Sequence, residues 1–187
     1  MKKLIIVTSP PACGKTYVSR ELAKNLKPLV YLDKDTLICL STQIFKVADQ
    51  EVNRSSQFFE DNIRNYEYDA VFNVALEALE YCDLAMINAP YAREVRNPKA
   101  LDGMRERLAE VGAELSVIWV QTDIEVCRKR MIARNSDRDT WKLAHWDEYI
   151  KTQNFSQPDI EGMLIFNNSN DEEFNESMER ITKQLKG

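Results

Sequence analysis

The chain has 187 residues, of which 44% are hydrophobic and 29% are charged, and its formal net charge is -5. This length allows one sizeable hydrophobic core and is too short for two ordinary domains, so we expect a single domain over residues 1–187. The acidic balance argues against general binding to nucleic acid or to anionic membranes, because both depend on excess lysine and arginine.

The four cysteines are far apart in the sequence, with no C-x-x-C pair, and one histidine is too few for a zinc site. We therefore expect reduced thiols and a cytoplasmic protein. The apolar run at residues 4–7 is too short for the hydrophobic region of a signal peptide, and no other run is long enough to cross a membrane. Neither secretion nor membrane insertion is expected.

Short apolar runs alternate along the chain with longer amphipathic segments, a pattern typical of strands and helices around a parallel sheet. The predicted strands are residues 4–7, 29–32, 84–88, 115–120 and 163–166. The predicted helices are residues 15–26, 66–81, 98–111 and 124–134, with a closing helix that reaches residue 185. We expect residues 36–65 to be helical and to face a substrate. Together these elements predict an α/β fold: a five-stranded parallel sheet with helices on both faces.

The first predicted strand leads into the loop SPPACGKT at residues 9–16, which matches the Walker A pattern G-x-x-x-x-G-K-[ST] except that Ser9 replaces the first glycine. Backbone amides of such a loop bind phosphate oxygens, so we predict that it holds the phosphates of ATP. The predicted contacts are Pro11, Ala12, Cys13, Gly14, Lys15 and Thr16. Lys15 would reach the β- and γ-phosphates, and the Thr16 hydroxyl is placed to bind Mg²⁺. The simpler alternative is a turn followed by a helix cap.

Two aspartates, Asp33 and Asp35, follow the second predicted strand. Phosphoryl transfer to an alcohol needs a carboxylate near the attacking hydroxyl, so one could accept the proton while the other holds Mg²⁺ through water. The alternative is that Asp35 or Thr36 caps the next helix. The third strand ends at Asn88, which is neutral but can still hydrogen-bond a metal-bound water.

Arg128, Arg130, Arg134 and Arg138 lie within eleven residues, where the predicted helix 124–134 runs into a polar turn. Such a series could form a lid that closes over a nucleotide, with Arg134 and Arg138 as the preferred functional pair. The alternative is a solvated helix face paired with acidic neighbours. Weaker candidates for contact with an acceptor are Arg54, Arg64, Arg93 and Arg96. Trp141 and Trp146 are expected in the core.

Four stretches resemble small AAA-type ATP-binding proteins of the P-loop kinase-like group: PACGKT (11–16), YLDKDTL (31–37), APYAREVR (89–96) and RDTWKLAHWDEY (138–149). Relatives include chloramphenicol phosphotransferase, zeta toxins, gluconate and shikimate kinases, and polynucleotide kinase. The resemblance implies a P-loop NTPase fold with a kinase-like lid that uses ATP and Mg²⁺. It also implies that Asp35 is the general base, rather than Asp33. Ser9 and Asn88 depart from the group's pattern.

The leading prediction is a kinase that transfers the ATP γ-phosphate to a small hydroxylated acceptor. Its predicted catalytic residues are Lys15, Asp35, Arg134 and Arg138, with Arg130 at the nucleotide and Thr16 and Asp33 at Mg²⁺. One alternative is an ATP-binding regulatory module with little turnover, suggested by Ser9 and Asn88. Another is a 5′-hydroxyl polynucleotide kinase, suggested by the arginine series and opposed by the acidic charge. The sequence identifies neither the acceptor nor the oligomeric state.

Overall fold

A computed structural model describes residues 2–136 and 139–186. Its sheet has five parallel strands in the order β2-β3-β1-β4-β5. The strands are β1 (Lys2–Thr8), β2 (Val30–Asp33), β3 (Leu84–Asn88), β4 (Ala113–Gln121) and β5 (Leu164–Asn167). The predicted five-stranded parallel sheet is therefore confirmed. Because all five strands are parallel, the segments that leave β1, β2 and β3 begin at the same edge of the sheet.

The helices include the five predicted ones, close to their predicted positions, and short ones within residues 140–152 that were not predicted. They are α1 (Lys15–Asn25), α2 (Ile38–Val47), α3 (Gln57–Phe59), α4 (Asn65–Tyr81), α5 (Pro98–Glu110), α6 (Ile124–Arg134), α7 (Thr140–Ala144), α8 (Trp146–Thr152) and α9 (Asp171–Lys186). Short 3₁₀ turns occupy Lys34–Leu37 and Glu94–Arg96, and a π-helical turn occupies Glu60–Arg64. Most of the segment 36–65 is thus helical, as expected.

The side chains of β1 point alternately to the two faces of the sheet, and the core forms one layer on each face. Leu4 and Ile6 pack in the layer that contains buried residues of α4 and α5. Ile5 and Val7 pack in the layer that contains buried residues of α1, α6 and α9. Successive side chains of a strand point to opposite faces, so this short apolar strand is buried on both sides. Helices therefore cover both faces of the sheet.

The tryptophan prediction is half wrong. Trp146 is buried against Met131 and Tyr149, as expected for a core residue. Trp141 is instead 53% exposed, and its ring stacks on His145 with the centroids 4.9 Å apart. Trp141 lies in the five-residue helix α7. A helix this short has no continuous apolar face that must pack against the core, so the side chain of Trp141 can stay exposed.

Within the described residues, no helix combines the length and the apolar character that crossing a membrane requires.

Candidate active site

The phosphate loop joins the end of β1 to the start of α1. Ala12 and Gly14 both have positive φ, 63° and 83° respectively. Gly14 precedes the first residue of α1, and a Cβ added to it would lie 2.5 Å from Asn168 Nδ2. The left-handed backbone and the close approach of Asn168 together require glycine at this position.

The carbonyl oxygen of Cys13 fixes the shape of this loop by accepting three hydrogen bonds. Asn168 Nδ2 donates at 2.7 Å, Thr122 Oγ1 at 3.0 Å and Arg130 Nη1 at 3.4 Å. Thr122 and Asn168 directly follow β4 and β5, so the ends of two other strands hold the loop in place. Sequence reasoning missed both residues, although polar side chains immediately after buried strands are a usable signal.

A polar network connects the loop to the ends of β2 and β3. Lys15 Nζ donates to Asn88 Oδ1 at 2.6 Å, and Asn88 Nδ2 donates to Asp33 Oδ2 at 2.9 Å and to Thr16 Oγ1 at 3.3 Å. Burial lowers the pKa of Lys15 to about 8, and the opposing charges of Asp33 and Asp35 compensate only in part. The structure therefore brings Lys15, Thr16 and Asp33 together around the neutral side chain of Asn88.

The two aspartates after β2 have different surroundings. Asp33 Oδ1 accepts a hydrogen bond from the Asp35 backbone N–H at 3.0 Å and so caps the 3₁₀ turn. The capping role considered for Asp35 or Thr36 thus belongs to Asp33. The Asp35 side chain is 65% exposed and faces the larger cavity described below. One aspartate is therefore oriented towards Asn88, and the other is open to a ligand.

Lys34, between these aspartates, anchors their turn to α4. Its buried Nζ lies 3.0 Å from Glu67 Oε2, and Arg54 donates to both carboxylate oxygens of Glu67 at 2.8 and 2.6 Å. Ser41 also donates to Glu67. Burial alone would raise the pKa of Glu67, but these hydrogen bonds and the charge of Lys34 outweigh it and lower the pKa to about 2. The ion pair fixes the backbone that carries both aspartates.

A cavity of about 780 Å³ lies against the phosphate loop. Its lining residues are Ser9, Pro10, Pro11, Ala12, Gly14, Lys15, Thr16, Tyr17, Asp35, Arg64, Tyr68, Pro90, Ala92, Arg93, Arg134, Lys142 and Gln153. It therefore unites the loop, Asp35 and one arginine of α6. A second cavity of about 350 Å³ is lined by Gly14, Tyr17, Arg130, Asn168, Ser169, Asn170, Asp171 and Phe174. Gly14 and Tyr17 border both cavities.

The described arginines of the predicted lid have different partners. Arg130 binds the Asn168 carbonyl at 2.7 Å as well as that of Cys13. Arg134 lines the larger cavity and donates to the buried carboxylate of Asp139 through Nε at 2.8 Å. Arg128 lies over the Trp146 ring, 5.4 Å from its centroid. Arg138 lies outside the described residues, so its predicted role stays a prediction.

The four weaker arginine candidates also divide. Arg54 forms an ion pair with Glu67. Arg96 stacks on Trp119, with its guanidinium carbon 4.6 Å from the ring centroid. Arg64 and Arg93 line the larger cavity together with Asp35. The structure thus places only these two beside the candidate active site.

Cys13 and Cys127 form a buried thiol pair with their sulfur atoms 3.7 Å apart. The hydrogen bond between them, together with burial, raises the pKa of Cys13, whereas the same contact lowers the pKa of Cys127. Cys13 contributes its carbonyl to the loop, and its side chain packs in the core.

The residues around Asn88 fit a magnesium ion. The described residues contain no group of three or more His, Cys, Asp and Glu side chains suited to a metal. Mg²⁺ bound to a nucleotide does not need such a group, because phosphate oxygens and water supply most of its ligands. The Thr16 hydroxyl and the Asp33 carboxylate, both in contact with Asn88 Nδ2, are suitable protein oxygens.

Comparison with known proteins identifies the fold. Three similar solved structures are a sugar kinase from Janibacter, an APS kinase from Mycobacterium tuberculosis in complex with AMPPNP and APS, and a gluconokinase from Sinorhizobium meliloti. The sugar kinase has a TM-score of 0.59 and 14% identity, and the match covers 100% of this chain and 95% of that chain. The APS kinase has a TM-score of 0.58 and 16% identity, with 100% and 98% covered. The gluconokinase has a TM-score of 0.56 and 11% identity, with 99% and 95% covered. Likeness at this identity establishes the P-loop kinase fold.

No curated protein sequence matches the chain. Residues 4–155 match the family described as AAA domain, a span that includes the phosphate loop, Asp33, Asp35, Asn88 and α6. The chain therefore belongs to the AAA domain family and has the fold of P-loop kinases.

Proposed function

We propose that the protein is an ATP-dependent kinase that phosphorylates a hydroxyl group of a small acceptor. One observation carries the proposal: Lys15 and Thr16 of the phosphate loop line the same cavity as the exposed carboxylate of Asp35. A phosphate-binding loop alone would fit many nucleotide-binding proteins. An exposed carboxylate in the same cavity, whose Oδ1 lies 3.3 Å from Lys34 Nζ, supplies the proton acceptor that transfer to an alcohol requires.

In the proposed reaction the acceptor oxygen attacks the γ-phosphorus of ATP and forms a new P–O bond. The bond between the γ-phosphorus and the β–γ bridging oxygen breaks, and its electron pair leaves with ADP. The hydroxyl proton passes to Asp35. Lys15 binds the β- and γ-phosphates, and its positive charge stabilises the negative charge that develops there.

Mg²⁺ would be held by Thr16 Oγ1 and, through water, by Asp33, and when bound it would neutralise charge on the β- and γ-phosphates. Asn88 already orients both protein groups through its amide hydrogens. These contacts support the proposal that Asp33 serves the metal and Asp35 is the base.

The smaller cavity suits the nucleoside end of ATP. It begins at Gly14, where the loop meets α1, and it contains the Tyr17–Phe174 pair, whose ring centroids are 5.3 Å apart. Aromatic faces and polar groups of this kind can contact a planar base. Arg130 borders this cavity and binds the loop carbonyl, which supports its assignment to the nucleotide.

Arg134 is the described lid residue best placed to meet the transferred phosphoryl group. It lines the larger cavity, and Asp139 orients its guanidinium while Lys142 contacts the same carboxylate at 3.3 Å. A preoriented guanidinium stabilises transition-state charge without reorganising during the reaction.

Turnover of ATP across a panel of hydroxylated metabolites, measured with wild-type protein and with Lys15→Ala, Asp35→Asn and Asp33→Asn, tests the assignment. Asp35→Asn should lower kcat about 100-fold or more and leave nucleotide affinity nearly unchanged, as expected for loss of a general base. Asp33→Asn should raise the Mg²⁺ concentration needed for half-maximal activity. Undiminished turnover in both Lys15→Ala and Asp35→Asn would rule out the kinase assignment.

A second candidate function is an ATP-binding regulatory module with little turnover. Asn88 favours this function. It accepts a hydrogen bond from Lys15 at the end of β3, where a kinase is expected to carry a second carboxylate for Mg²⁺, and Asn88 has no negative charge. Tight nucleotide binding together with no phosphorylated product from any panel member would support this function over the kinase.

A further inference from the structure

The larger cavity is strongly cationic although the whole chain carries a net charge of -5. Among the described residues, its charged lining side chains are Lys15, Arg64, Arg93, Arg134 and Lys142, against the single carboxylate of Asp35. Lys15 and Arg134 are assigned to ATP by the proposed function. Arg64 and Arg93 belong to other elements, the turn before α4 and the loop after β3. These two arginines therefore require a separate explanation.

Arg64 is held in a fixed position at the cavity wall. It is the last residue of the π-helical turn Glu60–Arg64, and such turns frequently occur at functional sites. Its guanidinium carbon lies 4.4 Å from the Tyr68 ring centroid, and Glu94 Oε1 accepts a hydrogen bond from Nη2 at 2.5 Å. The side chain is only 11% exposed. Packing and ion pairing together give this guanidinium one orientation.

Arg64 keeps donors available for a ligand. A guanidinium has five N–H donors, and Glu94 and Asn65 each accept one from Arg64. The nearest atom of Glu60 is 3.9 Å from Arg64 Nε, which is too long for a hydrogen bond. Glu60 and Glu94 are not among the residues that line the cavity, whereas Arg64 is. The carboxylates of Glu94 and Glu60 orient Arg64, and its remaining N–H donors are available to a ligand in the cavity.

Arg93 provides a second, more exposed cation at the same cavity. It is 67% exposed and pairs with Glu60, the residue at the other end of the π-helical turn from Arg64. A long exposed arginine can move onto a ligand at little cost, because a surface ion pair contributes little free energy.

We propose that the acceptor carries, beside the hydroxyl that is phosphorylated, an anionic oxygen group that Arg64 binds and Arg93 covers. A carboxylate and a phosphate or sulfate ester share this chemistry, since each presents two oxygens to a planar guanidinium fork. The hydroxyl oxygens of a neutral polyol can also accept from Arg64, but such hydrogen bonds lack the opposite charge and are roughly half as strong. The inference rests on the proposed function, because Asp35 determines where the hydroxyl must lie.

The test measures ATP-dependent phosphorylation and, separately, binding to protein saturated with Mg·AMPPNP, for matched pairs of anionic and neutral compounds. D-gluconate with sorbitol and shikimate with its methyl ester form the carboxylate arm, and glycerol 3-phosphate with glycerol forms the phosphate arm. Wild-type protein is compared with Arg64→Gln, Arg64→Lys and the exposed control Arg105→Gln on α5.

We expect binding and turnover with anionic members of one arm and with no neutral member. Arg64→Gln should raise KM for the anionic acceptor about tenfold to 100-fold, the usual cost of a lost charged hydrogen bond, and should change kcat much less. Arg64→Lys should restore part of the affinity, and Arg105→Gln should match wild type. A neutral member that is phosphorylated, an Arg64→Gln protein with unchanged KM, or binding of no anionic member to the AMPPNP-loaded protein would overturn the inference.

The two proposals fail in distinguishable ways. If the kinase assignment fails, no compound is phosphorylated, but anionic members still bind to the AMPPNP-loaded protein and Arg64→Gln still weakens them. If the acceptor inference fails, phosphorylation occurs on a neutral member or remains insensitive to Arg64.

Discussion

Lys15 and Asn88 are joined by a 2.6 Å hydrogen bond between Nζ and Oδ1, although they lie 73 residues apart in the chain. Asn88 is neutral and buried, so it holds the ammonium in place without giving it a countercharge. The same amide contacts Thr16 and Asp33. A single side chain at the end of β3 therefore organises the phosphate loop and the proposed magnesium ligands.

The burial of Lys15 predicts that nucleotide affinity decreases at alkaline pH. Burial lowers the pKa of Lys15 to about 8 in the free protein, while bound phosphates favour the protonated form. Affinity for Mg·AMPPNP should therefore be steady up to a pH of about 8 and fall by up to about tenfold per pH unit above it. Calorimetric titrations between pH 7.5 and 9.5 measure this. Lys15→Arg keeps its charge throughout this range, so an equal fall in that variant would contradict the explanation.

The geometry at Gly14 predicts a position-specific effect of a single methyl group. Gly14→Ala places a Cβ 2.5 Å from Asn168 Nδ2 on a backbone with φ of 83°. We expect a loss of about 1–3 kcal/mol in the free energy of unfolding, typical of such backbone strain, together with weaker nucleotide binding. Urea denaturation with and without AMPPNP measures both.

Gly103→Ala is the matched control, because no atom lies within 4 Å of an added Cβ and the residue is inside α5. This variant should be as stable as wild type or more stable by up to about 1 kcal/mol, since alanine favours a helix. Equal losses in the two alanine variants would show that the contact with Asn168 has no special role.

The comparison of sequence and structure shows which site features a linear pattern can predict. The loop, both aspartates and Asn88 were predictable, because each lies at or within a few residues of the end of an apolar run that predicts a strand. The contacts of Thr122 and Asn168 with the Cys13 carbonyl were not, because they join residues 109 and 155 positions apart. Likewise, Asp33 rather than Asp35 caps the turn, a choice set by backbone geometry that residue types do not reveal.

The buried pair of Lys34 and Glu67 predicts a large asymmetry between two glutamate substitutions. Glu67→Gln removes the buried countercharge of Lys34, leaves only the exposed Asp35 carboxylate 3.3 Å from its ammonium, and should cost about 3–5 kcal/mol in the free energy of unfolding. Glu21→Gln removes a partner of the exposed Lys24 and should cost less than about 0.5 kcal/mol. Equal costs would contradict the structural role of the buried pair.

The same pair predicts part of the acid sensitivity. The pKa of Glu67 is lowered from 4.5 to about 2 on folding, so the carboxylate stabilises the protein above its unfolded pKa. That contribution is lost as the pH falls from about 5 towards 2. Urea midpoints across this range should therefore fall less steeply in Glu67→Gln than in wild type, and parallel profiles would exclude Glu67 as a source of the acid response.

The most direct test of phosphate binding by residues 9–16 is a calorimetric titration of Mg·AMPPNP into wild-type and Lys15→Ala protein at pH 7.5. Wild type should bind one nucleotide per chain, and Lys15→Ala should bind at least about tenfold more weakly, because a charged hydrogen bond to phosphate is lost. Equal affinity in the two proteins, or no binding by wild type, would contradict ATP binding on this loop.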